Sequence, residues 1–362
     1  MKKSPTATAT LALMLLVQQH ASVGASMPVH HRNLQSNIDL ATCTNVETDF
    51  NIQLVNMGSN IDERYVEAFE SAAKRWSKVV VGDVPNIDAG MVQDWFSGQF
   101  DQPYNGAVDD LVIGYEISDR IDGPGGTLGS AGPVFIRQDG FGRLTSTISG
   151  VMNFDGQDFD RMPINDVRAI VFHEMGHVLG LVGTTGRCND ACDSTNPSAR
   201  SLYSCPLAAA EYEEWAPGNL LLENSGGMGT ACGHWEEDVF RTQESSEVMT
   251  GFFEADLFQP LSSVTVAGLE DLGYVVDYCG ADAWPANAET IKRFDVFVTE
   301  QTMDTDSMMD RILPEFGMDD KGEMNPLGGT NTGGDGISAS SSWMTLSGAP
   351  LKLLVVAAFC SL

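Results

Sequence analysis

Apolar and polar residues alternate over "FNIQLV", residues 50–55, the period-two pattern of a half-buried strand. The period then changes. In "IDERYVEAFESAAKRWSKVV", residues 61–80, Tyr65, Phe69, Ala72, Ala73 and Trp76 recur at spacings of three and four and form one apolar stripe, which predicts an amphipathic helix. "DDLVIGYEI" (109–117) and "STISGVMNFD" (146–155) predict two further strands. The segment between them, "DGPGGTLGSAGPVFIR" (122–137), is too rich in Gly and Pro for regular structure before "PVFIR". "NDVRAIVFHEMGHVLG" (165–180) predicts a second helix, with Asn165 or Asp166 as its cap and Gly180 at its end. Residues 184–233 carry glycines, four cysteines and no long periodic run, so an irregular insertion with one short helix around "AAAEYEEW" is expected. "SSVTVAGLEDLGY" (262–274) predicts a last helix ended by Gly273.

Both ends differ from this body. Residues 1–25 combine Lys2 and Lys3, the apolar run "LALMLLV" and the small-residue ending "SVGA", the pattern of a secretory signal peptide cut after Ala25. The run is too short to span a bilayer. Residues 26–42 are polar and patternless, a short prosegment or arm. Beyond Cys279, acidic sequence with Gly and Met runs to about residue 337 and reads as a stalk of low core content. The end, small residues followed by "LKLLVVAAFCSL", follows the pattern of a glycosylphosphatidylinositol attachment signal, with Lys352 as a departure from it. A chain exported and held on the outer face of the plasma membrane, or secreted, is the expectation.

Charge and cysteines narrow this further. The chain of 362 residues holds 50 acidic and 20 basic residues, a net charge of −30. Such a surface repels nucleic acid, so no nucleic-acid partner is expected. Of seven cysteines, Cys360 lies in the tail; Cys43, Cys188, Cys192, Cys205, Cys232 and Cys279 remain, an even set that suggests disulfides in an exported chain. Six cysteines allow 15 pairings, and spacing does not choose among them. A second zinc on the four cysteines of the insertion is disfavoured by export. The acidic loop "DGQDFD" (155–160) lacks the Gly and Glu of an EF-hand loop and is a weak calcium candidate.

The chemistry lies in "HEMGHVLG". His173 and His177, four apart on one helix face, present two imidazoles to a common point. Glu174 lies on the adjoining face, placed to touch a water beside a metal without ligating it. So short a motif arises by chance in about one chain in a hundred of this length, so its context decides. Zn2+ held by two imidazoles needs a third protein ligand. The chain has six histidines: His20 falls in the signal and His30 and His31 just after it, which leaves His234 as the third candidate in the body. The spacing H-E-x-x-H-x-x-G puts Gly180 where a sharp turn can bring a later histidine to the metal; the usual third position is here Gly183.

A long insertion followed by a late histidine resembles the leishmanolysin family of metzincin peptidases. The resemblance covers roughly residues 48–279 and rests on "HEMGHVLG", "GHWEEDVF", "SSEVMTGFFE", "SSVTVAGLEDLGYVVDYC" and "IDGPGGTLGSAGP". It implies an α+β, metzincin-type two-lobe zinc peptidase domain over residues 43–279, with a mixed twisted sheet, an active-site helix, the disulfide-braced insertion and a helical C-terminal subdomain. It further implies an endopeptidase acting on proteins or peptides, with His173, His177 and His234 as zinc ligands, Glu174 as general base and Met249 as the methionine of the turn beneath the metal. Substrate is expected to lie extended along the strand near "GPVFIR". A monomer is expected.

Two other readings stay open at this point. One is a zinc peptidase of another class, with Glu211, Glu213 or Glu214 as third ligand. The other is a surface adhesion or binding protein that keeps the fold without the catalysis; the intact Glu174 speaks against it.

Overall fold

The structure, a computed structural model, describes residues 47–59, 61–119, 121–182, 187–188, 192, 201–227, 229–255 and 257–284, together with short backbone strands beyond residue 342. The expected signal peptide, the arm with Cys43, nearly all of the stalk and most of the attachment signal lie outside the described residues.

The expected elements form, with shifted ends. Strand β1 (Ile52–Asn56) is followed by helix α1 (Glu63–Val79), β2 (Leu111–Ser118), β3 (Gly129–Gln138), β4 (Leu144–Asp155), a single helical turn α2 (Gly156–Phe159) and the long helix α3 (Ile164–Val178). The insertion contributes the two-residue strands β5 (Ser201–Leu202) and β6 (Leu221–Leu222) around helix α4 (Pro206–Glu213). A short helix α5 (Glu237–Phe240) and helix α6 (Ser263–Asp271) follow. Backbone strands β7 (Trp343–Met344), β8 (Leu353–Val355) and β9 (Cys360–Ser361) return to the sheet near the end of the chain. Among the described residues no helix is long and apolar enough to cross a membrane.

The sheet is mixed, in the order β1-β2-β4-β3-β8-β7, with β9 also pairing β3. β1 and β2 are parallel, as are β2 and β4, whereas β3 runs antiparallel to β4. Parallel neighbours need a crossover, which α1 supplies between β1 and β2. β2 and β4 read as near-continuous buried runs because both sheet faces are covered. One face meets α1 and α3; the other packs Trp95, Phe96 and Phe100 against Val112, Val134, Phe135, Ile148 and Val151.

The apolar stripe of α1 is buried as its spacing predicts: Tyr65, Phe69, Ala72, Ala73 and Trp76 all face the core. Asp62 caps the helix, accepting from the Arg64 N–H. Trp76 stacks on Phe172 of α3 with ring centroids 4.5 Å apart and donates its indole N–H to the Phe172 carbonyl at 3.0 Å. That contact fixes the turn of α3 immediately before His173.

Two expectations are corrected. The cap of α3 is Pro163, which makes no side-chain cap hydrogen bond; Asn165 and Asp166 lie inside the first turn. Proline's fixed φ, here −56°, already sets up the helix start, and Asp166 favours that end through its charge. β3 begins at Gly129, four residues before "PVFIR". Its Gly-rich approach is tied down by carboxylates: Asp155 accepts from the Gly123 N–H at 3.0 Å and Asp158 from the Gly125 N–H at 2.8 Å. The same Asp155 caps α2, so "DGQDFD" is a capped turn that organises the loop in front of β3.

The cysteines of the insertion pair as Cys188–Cys205 and Cys192–Cys232, so they are not ligands of a second metal. Cys279 is disulfide-bonded as well.

Candidate metal centre

Helix α3 presents His173 and His177 one turn apart, both buried. It is pressed close to its surroundings at glycines. At Gly150 of β4 a Cβ would collide with Val178 of α3, and at Gly176 a Cβ would stand 2.7 Å from Met249 Sδ. Met249, fully buried, therefore packs directly under the turn of helix that carries both histidines.

α3 ends where the sequence places Gly180, at φ +98°. The Gly180 N–H bonds the His177 carbonyl and the Leu181 N–H reaches back to Gly176, the paired hydrogen bonds of a Schellman cap. The Tyr274 hydroxyl ties this end to the sheet, donating to the Leu179 carbonyl at 3.0 Å and accepting from the Thr147 N–H at 2.9 Å.

His234 arrives from the other side of the insertion, on irregular backbone. The Glu223 N–H bonds the His234 carbonyl at 2.8 Å, and the Trp235 N–H bonds the Met249 carbonyl at 3.0 Å. The Cys192–Cys232 disulfide pins the chain two residues earlier. His234 is fully buried, and among the described residues it joins His173 and His177 as a group able to share an ion.

The three Nε2 atoms form a triangle with edges of 2.9, 3.0 and 3.2 Å. A tetrahedral centre with Zn–N bonds of about 2.0–2.1 Å sets its nitrogens roughly 3.3 Å apart, so the triangle is slightly tight but of the right size. The far nitrogens of two rings are oriented by backbone: His173 Nδ1 donates to the Val248 carbonyl at 2.5 Å and His234 Nδ1 to the Thr230 carbonyl at 2.7 Å. Such bonds leave Nε2 as the lone-pair nitrogen a metal requires.

Electrostatics point the same way. Burial pushes the His173 imidazole down to about 3 and the His234 imidazole to about 4; burial and the two neighbouring rings push His177 well below its usual value. All three rings are thus neutral at neutral pH, as ligation demands. Burial raises the Glu174 carboxyl well above the ordinary range. Both of its oxygens are buried without a hydrogen-bond partner. A carboxylate so placed fits beside a cation and its water, since nothing else there meets its charge. A Cβ at Gly129 would stand 3.0 Å from Glu174 Oε1, so the start of β3 borders the Glu174 carboxyl.

Glu211, one of the carboxylates weighed as third ligand, lies on α4 and interacts with Ser263; neither it nor Glu213 or Glu214 is in the group with the histidines. An acidic trio, Asp83, Asp109 and Asp110, also lies close together, but Asp110 is engaged by the Asn51 and Val84 N–H groups. Of Phe252 and Phe253, which follow Met249, the first is exposed and the second packs against the core.

Three neutral imidazoles meeting at one point form a group able to hold a metal ion, and the buried carboxyl of Glu174 follows the first of them in the chain. The model of the leishmanolysin family, Peptidase_M8, matches residues 141–306, a span that holds all four of these residues and Met249. Over that span the chain is similar to the leishmanolysin family, whose members are zinc-dependent metallopeptidases. The Gly-rich approach to β3 lies before the matched span. No curated protein sequence matched the chain.

Proposed function

We propose that this protein is a secreted or cell-surface zinc endopeptidase, with His173, His177 and His234 as metal ligands and Glu174 as the general base. The observation that carries the reading is the Nε2 triangle standing beside an unpaired buried carboxylate. A zinc ion held there supplies Lewis acidity to a water molecule and to a peptide carbonyl. Glu174 takes a proton from the attacking water and hands it to the leaving amine; a raised pKa suits a group that must both accept and donate near neutral pH. The His173 and His234 imidazoles hold position through their Nδ1 bonds to the backbone.

The substrate in this reading is an extended peptide in a cleft between two lobes, pairing with the outer edge of β3. That edge borders Glu174 at Gly129, and in the full chain β8 and β9 pair along it at Phe135–Ile136 and Ser130–Ala131. Loss of the tail on lipid attachment would free it. The acidic surface excludes nucleic acid as a partner, and the site is complete within one chain, consistent with a monomer.

Casein hydrolysis with and without a zinc chelator, by the native chain and by Glu174→Gln, tests the reading. Hydrolysis is expected to stop with chelator and return with zinc. Glu174→Gln should keep its zinc and lose about 10²- to 10⁴-fold in kcat. A Gln variant of near-native turnover would overturn the role given to Glu174. A metal-loaded native protein that binds peptides without cleaving them would favour an adhesion role.

A further inference from the structure

One buried carboxylate has no part in the chemistry above. Glu247 is 1% exposed, and its hydrogen-bond partners among the described residues include no cation. It accepts four hydrogen bonds. Its Oε2 takes the Met249 N–H at 2.6 Å. Its Oε1 takes the Ser262 N–H at 2.9 Å, the Ser262 hydroxyl at 2.8 Å and the Thr265 hydroxyl at 2.6 Å. Thr265 Oγ1 also receives the Trp235 indole N–H at 2.8 Å, and an indole N–H only donates, so this hydroxyl joins Trp235 to Glu247. The Ser262 hydroxyl likewise receives the Thr265 N–H as the cap of α6. The two backbone N–H groups can only donate, one to each carboxyl oxygen, so both oxygens of Glu247 are held as acceptors, while burial pushes the carboxyl above its ordinary range.

What those donors belong to matters more than their number. Val248, whose carbonyl orients His173, sits between Glu247 and the Met249 N–H that Glu247 grips. Trp235, adjacent to His234, is held through Thr265 on the same carboxylate oxygen. The Met249 carbonyl in turn receives the Trp235 N–H. Glu247 thus reaches His173 through Val248 and His234 through Thr265 and Trp235, although α3 and the 234–235 turn come from different parts of the chain.

We propose that Glu247 is a positioning residue of the metal centre, whose buried carboxyl group clamps the Met249 turn to α6 and to Trp235 and thereby sets the directions of His173 and His234. This rests on the reading that the three imidazoles hold zinc. Isosteric Glu247→Gln keeps the volume but turns an NH2 toward one of the four donors. Thr265→Val removes one of the four bonds to Glu247 and, with it, the link to Trp235, and leaves the other three bonds in place.

The test measures zinc affinity by chelator competition and the visible absorption of the Co2+ form, using the full chain and both variants, with circular dichroism of the metal-free proteins as a check of folding. Glu247→Gln is expected to weaken zinc about 10- to 100-fold and to alter the Co2+ spectrum, the range typical of outer partners of metal ligands. Thr265→Val should weaken zinc by a smaller factor in the same direction. If Glu247→Gln fails to fold, Thr265→Val decides. A folded variant that melts earlier yet binds zinc with native affinity and spectrum would show a structural role only and overturn the proposal. A native chain with no zinc affinity would overturn this inference together with the peptidase reading. Tight native binding that neither variant changes would overturn the inference alone.

Discussion

Two of the three imidazoles stand on a helix and the third on a turn, and the two supports are built differently. Along α3 the backbone hydrogen bonds of the helix fix the spacing of His173 and His177, and burial against Trp76, Met249 and the sheet fixes the helix. The stretch around His234 has no such internal ladder. It is held from outside by isolated bridges to Leu222 and Thr250, by the Cys192–Cys232 disulfide and, through Trp235, by Glu247. Regular structure positions a ligand by local bonds; irregular structure needs long-range ones, and its sensitivity to distant substitutions is correspondingly greater.

The largest effect expected from that contrast is at the disulfide. Cys192→Ser with Cys232→Ser opens a loop whose ends are 40 residues apart, and chain entropy assigns that closure about 4 kcal/mol. Denaturant unfolding of the metal-free proteins measures it, and zinc affinity should fall as well, because the released strand carries His234. Removing Cys188–Cys205, separation 17, should cost about 3 kcal/mol and spare zinc affinity, since that bridge closes before α4. Equal zinc loss from both would erase the distinction between the two bridges.

On the helix side the sharpest probe is Gly176→Ala. In an exposed helix this change stabilises; here the new methyl meets Met249 Sδ, so a destabilisation of about 1–3 kcal/mol is expected. Thermal unfolding reads it directly. A stabilised variant would mean that Met249 does not press on α3.

The smallest effect is on pH dependence. The three histidines of the metal-free protein are held neutral by burial, with folded pKa values below the unfolded value of about 6.5. As pH falls through 6.5 toward 4 the unfolded chain takes up protons that the folded chain refuses, so stability is lost in that window. Glu174 works in the opposite sense: its raised pKa makes the folded chain the better proton acceptor, a contribution present at low pH and lost as pH rises. Near neutrality the two contributions oppose each other, and Glu174→Gln should steepen the acid loss. Urea unfolding at several pH values, with chelator present, gives the slopes.

This same contrast explains what could be read in the sequence. α1 was legible because its burial repeats every three to four residues; α3, buried without a break from Ile170 to Val178, was legible from its ends, cap-type residues before it and Gly180 after it, and "HEMGH" because both ligands and the base lie within five positions. His234 was reachable only by counting histidines and by family resemblance, since nothing local marks it. The bridge partners were closed to the same reading: six cysteines have 15 pairings, and spacing alone selects none. Glu247 escaped notice for a related reason. Its donors at Ser262 and Thr265 lie 15 and 18 residues away, and a Glu in "SSEVMTG" looks like any solvated carboxylate until burial is known. The cap of α3 was misplaced because Asn165 and Asp166 have cap chemistry, yet Pro163 sets the backbone first.

The central claim is that one zinc is shared by helix and turn. Its most direct test is the zinc content of the purified chain beside His234→Ala, both equilibrated at the same low free zinc. The account predicts one zinc per native chain and essentially none in the variant, with the variant still folded. A His234→Ala protein that keeps its zinc, and loses it only when Glu211, Glu213 or Glu214 is replaced, would contradict it.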